Sequence, residues 1–154
     1  MAGRASDGPA GETELLELDR QECLRLLAGT AIGRIAVTVP GWPEPLLRPV
    51  NYVFDESSQS VLIRSGSGSK LHALLRSARA VFEIDGTDSG ARAGWSVIVH
   101  GATEEVTNSS EVRRLDTLGH HSWAPGEQGH WIRIRAYTVT GRRIAPVTHR
   151  DPPG

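Results

Sequence analysis

Apolar positions recur at two different spacings along this chain, and the switches between them mark out its elements. Asp19 followed by Glu22 forms a capping-box pattern, Leu24, Leu27 and Ala28 share one helical face, and Gly29 suits a stop. The spacing predicts a helix beginning after Asp19. Residues 34–39 then alternate, with Ile35, Val37 and Val39 on one side and Arg34, Ala36 and Thr38 on the other, which predicts a half-buried strand. Pro40-Gly41, Pro43 and Pro45 turn the chain. Residues 46–54 read as a second strand, and Pro49 places it at an edge or a bulge because proline cannot donate to a ladder. A polar turn at 55–59 leads to a third strand at 60–64, so these two strands make a hairpin.

A Gly/Ser run at 65–69 precedes a helix carrying Leu71, Leu74, Leu75 and Ala78 at helical spacing. Residues 80–85 predict a fourth strand. Residues 94–106 predict a long one, with Gly101 placed to bulge or bend it. Asn108 and Glu111 open a short helix with Val112 and Leu115, and 122–129 is a Pro/Gly loop. Residues 131–137 alternate again, and 138–144 continue them past a kink. The sum is about six strands and three short helices, joined by turns or by helices too short for regular parallel crossovers. The expected fold is mainly β: a small antiparallel barrel with helices packed outside. Residues 1–13 read as a disordered tail, 14–145 as one domain and 146–154 as a loose tail.

A chain of 154 residues with 38% hydrophobic residues supports one lean core. The net charge of −1 offers no basic excess for a nucleic-acid backbone, so nucleic acid is not an expected partner. The single cysteine, Cys23, excludes an internal disulfide and fits a reducing compartment; it sits near leucines and reads as a core residue. No signal-peptide core lies in residues 1–14, and no apolar run is long enough to span a bilayer. The expected location is cytoplasmic, without a membrane.

Composition changes the picture at one point. Of the 17 basic residues only Lys70 is a lysine, and it stands at the start of the predicted second helix. Ser65-Gly-Ser-Gly-Ser69 runs into it. Amides at a helix start converge with partial positive charge, serine hydroxyls add donors, and a lysine ammonium binds phosphate as a point charge. A lysine there is otherwise repelled by the helix dipole, and a bound dianion removes that objection. The run is neither a Walker A loop nor a dinucleotide fingerprint, and on its local pattern alone it also reads as a flexible connection.

The order of segments resembles a known family. Arg48-Pro-Val-Asn-Tyr52, then Val61-Leu-Ile-Arg-Ser65, then Gly68-Ser-Lys70-Leu71 is similar to the pyridoxamine 5′-phosphate oxidase-like FMN-binding split barrels. So are Gly94-Trp-Ser-Val-Ile-Val-His-Gly101-Ala-Thr-Glu-Glu105-Val, Trp131-Ile-Arg-Ile-Arg135 and Val139-Thr-Gly-Arg142-Arg-Ile144. The resemblance covers about residues 18–144. It implies a six-stranded antiparallel split barrel that dimerises with itself and builds two FMN sites from both subunits. The phosphate would sit at Ser65, Ser69 and Lys70, beside Leu71, with Arg48 or Arg64 nearby. Val50, Asn51 and Tyr52 would run along the isoalloxazine ring. Trp95 and Ser96 would come from the partner chain, and Trp131 would close the site across the interface. Longer substrate motifs of the oxidases themselves are missing, which brings the chain nearer to short bacterial flavin-binding relatives, including the nitroimidazole-reductase-like ones.

Other residues carry plainer readings. Trp42 lies among prolines and reads as local packing. Trp95 and Trp131 suit the barrel core as well as a flavin or dimer role, and Trp123 reads as a loop anchor before a lid. His120, His121 and His130 have no acidic or cysteine cluster beside them, so no metal is expected. Glu104 and Glu105 read as a solvated strand end. With no acid–base pair evident, a flavin would do the chemistry. The resemblance implies an FMN-dependent oxidoreductase acting on a small molecule; the alternative is a flavin, deazaflavin or haem carrier without turnover.

Overall fold

Asp19 starts the first helix as its spacing predicts: the carboxylate accepts the Glu22 amide at 2.9 Å, and α1 runs Arg20–Ala28 to Gly29. The computed structural model describes residues 11–66, 69–76, 78–88, 90, 92–118 and 129–147. Among them β1 (Thr13–Leu18) precedes α1. The remaining order is β2 (Ile32–Val37), β3 (Leu46–Asn51), β4 (Val53–Asp55), β5 (Ser60–Ser65), α2 (Lys70–Leu75), β6 (Arg79–Asp88), β7 (Ala93–Glu105), α3 (Ser109–Asp116), β8 (His130–Arg135) and β9 (Thr138–Pro146). No helix among the described residues is long and apolar enough to cross a membrane.

Every strand pairing is antiparallel, along the path β3-β2-β6-β7-β8-β5-β4. The two ends of that path, β3 and β4, are consecutive stretches of chain separated by Tyr52. The sheet therefore curls into a split barrel, as expected; it has nine strands among the described residues in place of six, because two expected strands are each broken in two (β3/β4 and β8/β9) and β1 is added. β7 makes the curl possible. It pairs with β9 as far as His100 and with β8 from Thr103 onward. Gly101 stands at the change of partner, where a Cβ would crowd Ile134 at 3.1 Å and the Arg135 carbonyl at 3.2 Å.

Alternation along the strands sorts two cores. Ile35, Val37, Val61, Ile63, Phe82, Ile84, Val97, Val99, Ile132 and Ile134 fill the inside, and Cys23 and Leu27 of α1 join the same cluster. On the opposite face of β5 and β8, Leu62 and Trp131 pack against Val106 and Leu115 under α3. Burying a leucine such as Leu115 completely stabilises by about 1.5–3 kcal/mol, which holds this short helix to the sheet.

Several boundaries differ from the sequence reading: α2 ends at Leu75 and leaves Ala78 outside it, β6 runs past the expected 80–85 to Asp88, and β8 ends at Arg135. β1 was not foreseen: both its faces are largely exposed, so it shows no apolar alternation, and it pairs only with β9. The second strand breaks at Tyr52, whose side chain turns into the core, giving β3 and β4 in place of one strand. β2 ends at Val37, which leaves Val39 outside it. β9 includes Pro146, and the Val147 amide donates to the Glu12 carbonyl at 2.8 Å, so paired backbone reaches into both stretches expected as tails. The tails proper, Trp123, His120 and His121 lie outside the described residues.

Candidate functional site

Ser65 ends β5 with its side chain buried, and its hydroxyl lies 3.5 Å from that of Ser69. Ser69 caps α2: its Oγ accepts the His72 amide at 3.0 Å, and its carbonyl accepts the Ala73 amide at 3.2 Å. The Ser69 amide itself donates to the Gly66 carbonyl at 3.4 Å. The amides of Lys70 and Leu71 precede the first intrahelical bond and have no helical acceptor. Lys70 is exposed and makes no ion pair among the described residues. Across from it on β3, the Arg48 guanidinium donates, among the described residues, only to the carbonyl of Leu47, at 2.9 Å.

Arg48, Ser69, Lys70 and Leu71 line one cavity of about 630 Å³ together with Val39, Trp42, Leu46 and Leu74. No carboxylate is among these eight residues. Two cations and a hydroxyl stand at a wall of aliphatic and indole surface. Such a lining suits a partly apolar ligand with an anionic group. Trp42 is 72% exposed and lines the cavity, so its role is not the local packing expected of it.

The other expected site residues lie elsewhere. Val50 is half-buried and packs on the barrel core, and Asn51 is half-buried at the end of β3. Tyr52 is a core residue: its hydroxyl donates to the Leu27 carbonyl at 2.6 Å, and its ring meets Phe82 edge-on at 4.8 Å. Burial pushes the Tyr52 phenol well above the usual tyrosine range. Arg64 follows the alternation of β5 and points away from Ser65, toward α3. There it pairs with Asp116 and lies 4.6 Å over the Trp131 ring. Trp131 is 1% exposed, and its indole N–H donates to Asp116 at 2.9 Å. It is enclosed by its own chain and has no face to offer across an interface. Trp95 and Ser96 line a different groove, of about 360 Å³, with Gly86, Arg142 and Ile144. Gly86 is required there, because a Cβ would come within 2.6 Å of the Trp95 ring.

Sequence reasoning missed two polar clusters. In the first, Asp55 accepts from Arg114 at 2.7 and 3.2 Å and from Ser57 and Ser58, while Glu111 accepts from Arg114 and Arg133. The Arg114 guanidinium holds the Asp55 carboxyl well below the usual carboxylate range, and Arg114 with Arg133 lowers Glu111 to about 2. In the second, Glu105 is no solvated strand end. It is met by His130 at 2.9 Å, Arg76 at 3.1 Å and His72 at 3.8 Å. Only the one-turn spacing of His72 and Arg76 is visible in the sequence; the third and fourth members come from β7 and β8. Cys23 is buried in the core as expected, and burial pushes its thiol up.

A family model described as pyridoxamine 5′-phosphate oxidase matches residues 19–143, from the cap of α1 into β9. The chain belongs to the pyridoxamine 5′-phosphate oxidase-like family. The uncharacterized protein Rv0080 of Mycobacterium tuberculosis is 33% identical over 147 residues, covering 92% of this chain and 93% of that protein. Among solved structures, the FAD binding protein from Mycobacterium smegmatis superposes with a TM-score of 0.74 at 31% identity, over 84% of this chain and 98% of its own. A FAD-binding protein from Mesorhizobium loti gives 0.67 at 25% identity, over 84% and 97%. Membership of the pyridoxamine 5′-phosphate oxidase-like family accords with the barrel path and the β7 switch described above.

Proposed function

We propose that this chain is a cytoplasmic flavoprotein, an oxidoreductase acting on a small molecule through a flavin nucleotide. The observation that carries the reading is the cavity in which Arg48 and Lys70, both without acidic partners among the described residues, face an apolar wall. Lys70, Arg48 and the Ser69 hydroxyl would hold the phosphate, and Leu46, Leu71, Leu74 and Trp42 would flank the ring. Similarity to the two FAD-binding proteins supports the same class of ligand. FMN and FAD both carry a phosphate on the ribityl chain, so one cation pair serves either. A bound flavin supplies hydride and electron transfer; the chain orients it and limits its contact with water.

The functional unit in this reading is a homodimer. Trp42 and Leu47, at 72% and 57% exposure, leave apolar surface around the cavity that a second copy would cover. Trp95 and Ser96, which lie in a separate groove of their own chain, would reach the flavin from that copy.

The test compares FMN with riboflavin, which lacks the phosphate. Lys70→Ala should weaken FMN by about 10–100-fold, the effect of one charge-assisted contact, and leave riboflavin nearly unchanged. An equal loss for both ligands would remove Lys70 from the phosphate site.

A further inference from the structure

Three elements far apart in sequence bring two imidazoles and a carboxylate together behind α2. His72 comes from the first turn of α2, Glu105 from the end of β7 and His130 from the start of β8. Their ligand atoms all lie within 4.8 Å of one another. Glu105 Oε1 is 2.9 Å from His130 Nδ1 and 3.8 Å from His72 Nε2. In a tetrahedral zinc site, bonds of about 2.0–2.2 Å place ligand atoms roughly 3.3 Å apart. Two of these separations straddle that value, and the third is no more than 4.8 Å.

We infer that His72, Glu105 and His130 bind a divalent transition ion of the zinc class. Two histidines and one glutamate are a recurrent zinc ligand set, and three protein ligands leave a fourth position for water. The surroundings suit the role. Arg76 Nε holds the other Glu105 oxygen at 3.1 Å, which fixes the carboxylate and leaves Oε1 for the ion. His72 is largely buried, its Nε2 faces Glu105, and its Nδ1 has no hydrogen-bond partner among the described residues. The two rings lie 4.7 Å apart and tilted by 47°, not stacked flat, so both can point a nitrogen at one centre.

The site is distinct from the cavity. Lys70, Leu71 and Leu74 occupy one face of α2, and His72 and Arg76 lie on the opposite one. An ion here pins α2 to β7 and β8 and so fixes where Ser69 and Lys70 stand. It does this whether or not a flavin is bound.

The experiment is a calorimetric titration of the chelator-treated full-length protein with Zn²⁺ alone. One ion per chain is expected. His130→Ala, at a half-exposed position, should weaken binding by about 100-fold or more, at or beyond what loss of an outer contact costs. Glu105→Gln should do the same, with circular dichroism showing that both variants remain folded. His120→Ala with His121→Ala should leave the affinity unchanged. Zn²⁺ binding that survives His130→Ala, or is lost with His120 and His121, would overturn the assignment, as would no binding by the parent protein.

Discussion

Replacing Asp55 by Asn tests the polar cluster that ties the β4–β5 turn to α3. Asp55 is 2% exposed and accepts four hydrogen bonds, two of them from the Arg114 guanidinium at 2.7 and 3.2 Å. Asn offers one carbonyl oxygen and turns an amide toward a cation. Breaking a fully buried ion pair costs about 3–5 kcal/mol. Here Arg114 is 38% exposed and keeps Glu111 as a partner, which lowers the expected loss to about 2 kcal/mol. Urea unfolding followed by circular dichroism reads this directly, and a fall in Tm of about 4–8 °C accompanies it. The pH dependence adds a second readout. Arg114 depresses the Asp55 carboxyl in the folded chain, so its contribution is complete above the ordinary carboxylate range and is lost as pH falls through the folded value. The gap between parent and variant should therefore be wider at about pH 6 than at about pH 3. A loss under about 0.5 kcal/mol, or a gap that does not narrow in acid, would refute the assigned role.

Other consequences are equally open to measurement. Gly33→Ala places a Cβ 2.3 Å from Phe82 Cζ and 2.8 Å from the Glu83 carbonyl, so it should destabilise by about 1–3 kcal/mol in the same unfolding assay. An unchanged midpoint would show that Phe82 moves freely. Tyr52→Phe keeps the edge-on contact with Phe82 but removes the hydroxyl donor to Leu27, and should cost about 1 kcal/mol. Glu111, lowered to about 2 chiefly by Arg114 and then by Arg133, should make Tm fall as pH drops from the ordinary glutamate range toward 2. Glu111→Gln should flatten that part of the curve, and an unaltered curve would discount the pairing. Native Cys23, buried with its thiol pushed up, should resist thiol reagents until the chain unfolds.

The barrel was legible in the sequence because period and punctuation agreed. Residues 34–37 and 131–135 alternate, residues 60–64 follow a polar turn, and Asp19, Ser69 and Asn108 each cap a helix that starts where expected. What escaped were features with no local signature. β1 has nothing to bury on either face, so its pairing with β9 leaves no period. Tyr52 reads as the continuation of a strand, and only the presence of Leu27 beneath it explains the break. For the site, the resemblance implies Ser65, Ser69, Lys70 and Leu71 with Arg48 or Arg64 nearby, and the structure brings Arg48, Ser69, Lys70 and Leu71 to one cavity. Arg64 is next to Ser65 in sequence, and strand alternation sends it to the other face. Glu105 meets His72 and His130 through sheet register alone, which no spacing along the chain encodes.

In the proposed function the cavity between β3 and α2 holds a flavin nucleotide by its phosphate. The absorbance spectrum of the purified protein, with the released cofactor identified by chromatography, addresses it most directly. The two-band visible spectrum of an oxidised flavin and release of FMN or FAD are expected. A folded protein that stays colourless and takes up neither nucleotide, or that shows a haem or deazaflavin spectrum instead, would contradict it.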